Sequence, residues 1–169
     1  TLDTRQTVDA CLVLVSHLLH QRRISVTRDC GATQRVGFNP QELQQVVINL
    51  LINAIQAMPE GGELTLETRD WLDDQGQPQG AVISVLDQGP GLSEAVRDRL
   101  FSPFFTTKND GNGLGLWISL GLVERYGGKL EADNRTDGAG AAFRIRLLTE
   151  PMAPAEAQAR TGDGRPGAL

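Results

Sequence analysis

A single long amphipathic helix with clearly marked ends constrains the fold of this 169-residue chain most. Asn39 can cap its first turn, Pro40 suits the first helical position, and Glu42 can complete a capping box. The helix is predicted to run to about Met58, where the Pro-Glu-Gly-Gly sequence at 59–62 ends it. Its apolar residues share one face: Leu43, Val46, Val47, Leu50, Leu51, Ala54, Ile55 and Met58. A helix with one broad apolar face needs a second layer on which to pack.

Alternating apolar and polar residues predict a β-sheet as that second layer. Further helices are predicted at 7–19, 94–100 and 114–126. Strands, the last four of them paired as two hairpins, are predicted at 24–27, 63–71, 81–86, 129–134 and 142–148. Helices interspersed with strand pairs indicate an α/β (α+β) two-layer sandwich, in which one mixed sheet carries the helices on a single face.

Charge and composition exclude several classes of protein. The net charge is −5, so the chain lacks the basic surface that coats nucleic acid or binds membrane headgroups. No apolar run approaches the ~20 residues of a membrane span. Cys11 and Cys30 are the only cysteines, which is typical of reduced thiols in a cytosolic protein. We expect a cytoplasmic chain with no nucleic acid partner and no membrane insertion, which leaves open a longer parent protein anchored in the bacterial inner membrane.

The length suits one domain, which we expect over residues 1–150. Residues 151–169 are rich in alanine, proline and glycine and have no apolar periodicity. Such a composition predicts a disordered C-terminal tail or linker.

Two asparagines on the long helix are the first candidate site residues. Asn49 and Asn53 are four residues apart, so they lie one above the other at the edge of the apolar stripe. Their carboxamide oxygens suit a hard cation such as Mg²⁺, which prefers oxygen ligands. The alternative is that both side chains only cap a neighbouring loop.

A glycine-rich loop follows the strand predicted at 81–86. Its sequence is Asp-Gln-Gly-Pro-Gly, from Asp87 to Gly91. An ionised aspartate at a strand end can accept a hydrogen bond from an exocyclic amine, while glycines let the backbone pass close to a flat ring. A plain turn is the alternative.

Two further segments carry possible ligand contacts. Residues 100–108 (Leu-Phe-Ser-Pro-Phe-Phe-Thr-Thr-Lys) hold three of the five phenylalanines. They form either a small hydrophobic cluster under a loop or a lid that docks on a ligand, with Lys108 meeting phosphate charge. Residues 111–115 (Gly-Asn-Gly-Leu-Gly) open the next helix, where backbone N–H groups favour a phosphate.

In this order and spacing, the four segments resemble the N, G1, F and G2 boxes of sensor histidine kinases. The boxes read Asn-Leu-Leu-Ile-Asn-Ala, Asp-Gln-Gly-Pro-Gly-Leu, Phe-Ser-Pro-Phe-Phe-Thr-Thr-Lys and Gly-Asn-Gly-Leu-Gly-Leu. The catalytic ATP-binding domain of those kinases belongs to a superfamily shared with gyrase, mismatch-repair ATPases and heat-shock chaperones. The resemblance covers roughly residues 7–148. It implies a mixed five-stranded sheet under three main helices.

The resemblance also implies ATP and Mg²⁺ as cofactors and gives each site residue a role. Asn53 is similar to the Mg²⁺ ligand, and Asn49 to a residue that assists at the phosphates. Asp87 is similar to the acceptor of the adenine amine, and Gly89 and Gly91 to the residues that shape the purine pocket.

The remaining implied roles belong to the lid and the phosphates. Lys108 is similar to a phosphate contact. The aromatic positions and the glycine-rich segment are similar to the lid aromatics, the lid hinge and the phosphate-facing backbone: Phe101, Phe104, Phe105, Gly111, Gly113, Leu114 and Gly115.

One position separates the members of the superfamily. Hydrolysing relatives carry a water-activating glutamate four residues before the metal-binding asparagine, where this chain has Asn49. A carboxamide cannot act as a general base. The resemblance therefore favours a protein-histidine kinase, a phosphotransferase, over a self-contained ATPase of this superfamily or a nucleotide-binding docking module.

The phosphoacceptor is expected outside this chain. His17 and His20 are the only histidines, and neither is followed by the acidic residue and proline that mark an acceptor in the family. The resemblance implies transfer of the γ-phosphoryl group to a histidine on a dimerisation domain of a parent kinase. An aspartate on a response regulator receiver domain would take it next, as in two-component signal transduction.

Overall fold

A computed structural model of the chain describes residues 1–105 and 114–149. Its helices are α1 (Thr4–Gln21), α2 (Pro40–Gln56), α3 (Glu94–Arg99) and α4 (Gly115–Arg125). Its strands are β1 (Ile24–Cys30), β2 (Gly62–Leu72), β3 (Pro78–Leu86), β4 (Lys129–Asn134) and β5 (Ala141–Leu148). The segment predicted as a tail, 151–169, lies outside the described residues, as do residues 106–113.

The five strands form one mixed sheet in the order β1-β2-β3-β5-β4. The β1 strand pairs parallel to β2, and every other neighbouring pair is antiparallel. The helix α2 connects the two parallel strands, as a parallel pair requires a crossover. The expected two-layer α/β sandwich is confirmed.

The helix α2 is the centre of the core. Asn39 caps it as expected, because its Oδ1 accepts from the N–H groups of Gln41 and Glu42, both at 3.0 Å. It packs between α1 and α4 and against the sheet. The stripe predicted from the sequence is buried along the helix: Leu43, Val46, Val47, Leu50, Leu51, Ala54 and Ile55. No helix in the described part of the chain is long and apolar enough to cross a membrane.

Two element boundaries differ from expectation, one because of a helix cap and one because of strand pairing. The first helix begins at Thr4, three residues earlier than the apolar pattern indicates, because Asp3 caps it by accepting from the Arg5 N–H at 2.9 Å. The strand β1 continues to Cys30 because its parallel register with β2 extends to Thr68. Pairing across the sheet adds residues whose own pattern is too polar to indicate a strand.

The two thiols are expected to differ strongly in reactivity. Cys11 is fully buried, and burial raises the pKa of its thiol to about 11, whereas Cys30 is half-buried at the end of an outer strand. Because the thiolate is the nucleophile, iodoacetamide at pH 8 should modify Cys30 roughly 100-fold faster in the native protein. Mass spectrometry of a time course measures both rates. A Cys30→Ser variant should take label only at the slow rate of Cys11 until denatured, and equal rates at the two sites would contradict the buried placement of Cys11.

Candidate functional site

The first predicted site pair lies on the face of α2 that meets α4. The Asn49 side-chain amide donates to the hydroxyl of Ser119 at 3.1 Å and to the Gly115 carbonyl at 3.4 Å. Ser119 is fully buried, so this amide ties α2 to the first turn of α4. Asn53 is half-buried one helical turn further along α2. The Asn49 carboxamide therefore lies beside the helix that the predicted glycine segment opens, and Asn53 follows it on the same face of α2.

The Asp87 carboxylate is buried at the end of β3. It is 1% exposed, and its Oδ1 accepts from the N–H groups of Gly89 at 2.9 Å and Ala141 at 3.1 Å. The main-chain N–H of Asp87 donates to the Ala141 carbonyl at 3.0 Å. Within residues 1–105 and 114–149, no side-chain cation forms an ion pair with this carboxylate. Since a buried carboxylate needs polar partners, the unshared Oδ2 atom is suited to accept from a ligand.

Two glycines in the loop after β3 stand where a side chain would collide. A Cβ on Gly89 would lie 2.6 Å from the Ala57 carbonyl oxygen at the end of α2. Gly91 has a φ of +81°, and a Cβ there would lie 2.7 Å from Oδ1 of Asn134. The loop therefore follows its close path only with glycine at these positions.

The same loop is fixed through Gln88 to the strand β2 and to Met58, in the connection between α2 and β2. The side-chain Oε1 of Gln88 accepts from the Glu63 N–H at 2.9 Å, and its main-chain N–H donates to Sδ of Met58 at 3.3 Å. These two contacts hold one side of the loop against the start of β2 and against Met58, just before it.

The end of β4 and its connection to β5 hold the other side of the loop, a contact that the sequence alone did not indicate. The Asn134 side chain bonds both main-chain groups of Leu92, accepting from its N–H at 2.6 Å and donating to its carbonyl at 2.8 Å. Gly140 has a φ of +120°, and a Cβ there would lie 2.0 Å from the Asp87 carbonyl oxygen. Arg135 donates to that same carbonyl oxygen at 3.1 Å. These residues therefore hold the loop at Leu92 and the main chain at Asp87.

The three phenylalanines expected in a lid have different surroundings. Phe101 is half-buried against the core, and Phe105 is half-buried with the Arg99 guanidinium 5.4 Å from its ring centroid. Phe104 is 73% exposed and has a φ of +64°, which is uncommon for an aromatic residue. Phe101 thus fits the hydrophobic-cluster interpretation, whereas the exposed Phe104 does not belong to that cluster.

The glycine-rich segment is described only at its end. Leu114 is the N-cap residue of α4, and Gly115 begins the helix beside the Asn49 amide. Lys108, Gly111 and Gly113 lie outside the described residues.

Fold and site together define a class of ATP-binding domain. The family described as histidine kinase-, DNA gyrase B-, and HSP90-like ATPase matches residues 38–151, and the chain belongs to that family. The fold agrees with the catalytic domain of the histidine kinase ThkA in a nucleotide-free form, with a TM-score of 0.78 and 29% identity over 88% of this chain and 94% of that one.

Within that family, the similar proteins are sensor histidine kinases, as the motif resemblance predicted. The sensor histidine kinase ZraS of Klebsiella oxytoca is 34% identical over 148 residues, which is 87% of this chain and 31% of the relative. The chain spans 28% to 31% of the length of this ZraS and of two others, from Salmonella typhi and Salmonella typhimurium.

Two further solved structures show kinases of this kind with other molecules. Full-length ShkA in complex with AMPPNP matches with a TM-score of 0.73 and 26% identity, over 90% of this chain and 31% of that one. ThkA in complex with the response regulator protein TrrA matches with a TM-score of 0.73 and 28% identity, over 87% of this chain and 40% of that one.

Proposed function

We propose that residues 1–150 form the catalytic ATP-binding domain of a two-component sensor kinase, with 151–169 as a tail or linker. The domain holds Mg-ATP and transfers the γ-phosphoryl group to a histidine on a dimerisation domain outside this chain. The observation that carries the proposal is the buried Asp87 carboxylate, which accepts two backbone N–H groups on Oδ1. We place the reaction in the cytoplasm, where ATP and reduced cysteines are found.

Adenine recognition is assigned to Asp87. Its Oδ2 accepts from the exocyclic amine of the base, while Gly89 and Gly91 keep the backbone close to the ring plane. A carboxylate fixed by two N–H groups is already oriented before the ligand arrives, so binding costs little ordering of the site. Family membership and the AMPPNP complex of the similar ShkA support ATP as the nucleotide.

The α2 carboxamides fit a magnesium-bound triphosphate. Carboxamide and phosphate oxygens are hard ligands of the kind that Mg²⁺ takes, and no group of three or more His, Cys, Asp or Glu side chains in the described part of the chain offers a rival metal site. We assign Asn53 as the Mg²⁺ ligand and Asn49 as its neighbour at the phosphates. When bound, the ion neutralises charge on the β- and γ-phosphates.

We also propose roles for the residues of the lid. Lys108 contacts phosphate, and the lid aromatics dock over the bound nucleotide. The residues that form the lid, its hinge and the phosphate-facing backbone are Phe101, Phe104, Phe105, Gly111, Gly113, Leu114 and Gly115.

The carboxamide of Asn49 favours phosphotransfer over hydrolysis. Its amide donates to Ser119 and to the Gly115 carbonyl, and a carboxamide has no basic lone pair with which to deprotonate water. In the proposed step, an imidazole nitrogen of the acceptor histidine attacks the γ-phosphorus in line. A P–N bond forms, the bond to the β–γ bridging oxygen breaks, and ADP leaves. The imidazole N–H proton passes to solvent or to the acceptor domain, and an aspartate of a receiver domain then takes the phosphoryl group.

A reconstitution in trans tests this assignment. The chain is incubated with Mg²⁺ and γ-labelled ATP, with and without the dimerisation domain of its parent kinase. We expect acid-labile, alkali-stable label on that domain only when the chain is present, and slow ADP release from the chain alone. Asn53→Ala should abolish the labelling.

Two outcomes would overturn the kinase assignment. Fast steady hydrolysis by the chain alone, lost in Asn49→Ala, would favour a self-contained ATPase. Mg-ATP binding without either hydrolysis or labelling would favour a nucleotide-binding docking module.

A further inference from the structure

The side chain of Arg135 makes an unusual pair of contacts beside the proposed adenine site. One terminal nitrogen, Nη1, donates to the main-chain carbonyl of Asp87 at 3.1 Å. The other donors grip the Asp137 carboxylate in bidentate fashion, Nε at 2.9 Å and Nη2 at 3.0 Å. The Arg135 side chain is only 13% exposed. The planar guanidinium is thus held in one orientation by a partner two residues away.

Arg135 donates to the main-chain carbonyl of Asp87 and not to its carboxylate. The guanidinium does not bond the Asp87 carboxylate, which would neutralise it and occupy its oxygens. It bonds the backbone carbonyl, and its charge is matched by Asp137, whose pKa is lowered by the hydrogen bond and the charge of Arg135. The Asp87 carboxylate therefore keeps an oxygen for a ligand while its own peptide unit is fixed.

We propose that Arg135, oriented by Asp137, is a positioning residue that aims the Asp87 carboxylate at the exocyclic amine of the nucleotide. This inference rests on the proposed function, because it needs Asp87 to be the adenine acceptor. Arg135 touches neither the base nor the phosphates in this proposal. It acts through the carbonyl of Asp87.

The fold itself does not depend on this contact. The main-chain N–H of Asp87 donates to the Ala141 carbonyl, the Asp87 carboxylate accepts from the Ala141 N–H, and Asn134 holds Leu92 independently. Loss of the Arg135 side chain should therefore loosen the direction of the carboxylate rather than unfold the loop.

The test compares ATP with purine riboside triphosphate, which lacks the exocyclic amine. Calorimetric titration of the full 169-residue chain with each Mg²⁺-nucleotide gives two dissociation constants. For Arg135→Ala we expect a roughly tenfold or greater loss for ATP, as for a weakened hydrogen bond to a charged group, and a loss below about twofold for the analogue. Arg135→Lys should retain part of the discrimination, and Asp137→Asn should lose part of it, because neither preserves the bidentate grip.

A matched control is available on the other edge of the sheet. Arg28 and Asp9 form a similar bidentate pair that is far from Asp87 in the sequence, and Arg28 is more exposed than Arg135. Arg28→Ala should change neither dissociation constant by more than about twofold, since exposed ion pairs contribute little.

An unchanged ratio of the two dissociation constants in Arg135→Ala would overturn the inference. If both nucleotides bind equally more weakly and the melting temperature falls, the role of Arg135 is purely structural. Non-additive effects in the Asp87→Asn, Arg135→Ala double variant would support action through Asp87. Failure of the unaltered chain to bind Mg-ATP, or to distinguish it from the analogue, would instead sink the proposed adenine site.

Discussion

Asp87→Asn should weaken binding of Mg-ATP by roughly 10- to 100-fold while leaving the fold intact. Asparagine has the same shape, and its Oδ1 can still accept from Gly89 and Ala141 as the carboxylate does. Its amide nitrogen, however, replaces the oxygen that we propose accepts from the adenine amine, so one donor would meet another. The expected factor corresponds to the loss of one hydrogen bond to a charged acceptor.

Titration calorimetry measures the affinity, and thermal unfolding measures the fold. Asp70→Asn is the matched control, because Asp70 also anchors a loop with its carboxylate, accepting from the N–H and hydroxyl of Thr33 and the N–H of Gln34 at 2.6 to 3.0 Å. That variant should lower the melting temperature without a specific loss of ATP binding. If Asp87→Asn bound Mg-ATP within twofold of the unaltered chain, Asp87 would not be the adenine acceptor.

Gly140→Ala is expected to damage both the fold and the site. A Cβ would lie 2.0 Å from the Asp87 carbonyl oxygen, and the φ of +120° is one that alanine rarely adopts. Either β5 or the loop after β3 must shift, at a cost of about 2–4 kcal/mol in the free energy of unfolding. For a chain of this size, that is a fall in melting temperature of about 5–15 °C. Since Asp87 itself is displaced, ATP affinity should fall at least about tenfold.

The neighbouring Gly138 provides the control for this prediction. Its φ is +155°, but nothing lies within 4 Å of a Cβ placed there. Gly138→Ala should therefore lower the melting temperature by much less and leave ATP binding within about twofold. A Gly140→Ala protein that melted within about 2 °C of the unaltered chain would contradict the close packing described at Asp87.

Local signals in the sequence were enough to predict much of the architecture. The cap at Asn39 and the apolar stripe indicated α2, and alternation indicated all five strands, because both patterns reflect burial of one face. The start of α1 was misplaced because the apolar pattern begins after Asp3, although Asp3 is itself a capping residue. Strand β1 was too short in the prediction because its polar half is paired only through β2.

Local sequence patterns also predicted part of the candidate site. Asn49, Asp87 and the glycines stand in short motifs whose spacing is local. The contacts of Ser119 with Asn49 and of Arg135 with Asp87 could not be predicted from the sequence. Each joins residues 48 or more positions apart, and no local pattern identifies such partners. In isolation, Arg135 beside Asp137 reads as an ordinary turn with an ion pair.

The distance along the chain between Asp87 and its partner Ala141 has a consequence for synthesis on the ribosome. One of the two N–H groups that donate to the carboxylate, that of Ala141, is added 54 residues after the aspartate, and Ala141 also supplies the carbonyl that accepts from the Asp87 N–H. At ordinary translation rates the gap is about 3 to 10 seconds. During that interval α1, β1 and α2 can collapse on β2 and β3, while the Asp87 loop is still hydrated and open. We therefore expect the proposed Asp87 site to be completed late in synthesis, when β5 enters the sheet between β3 and β4.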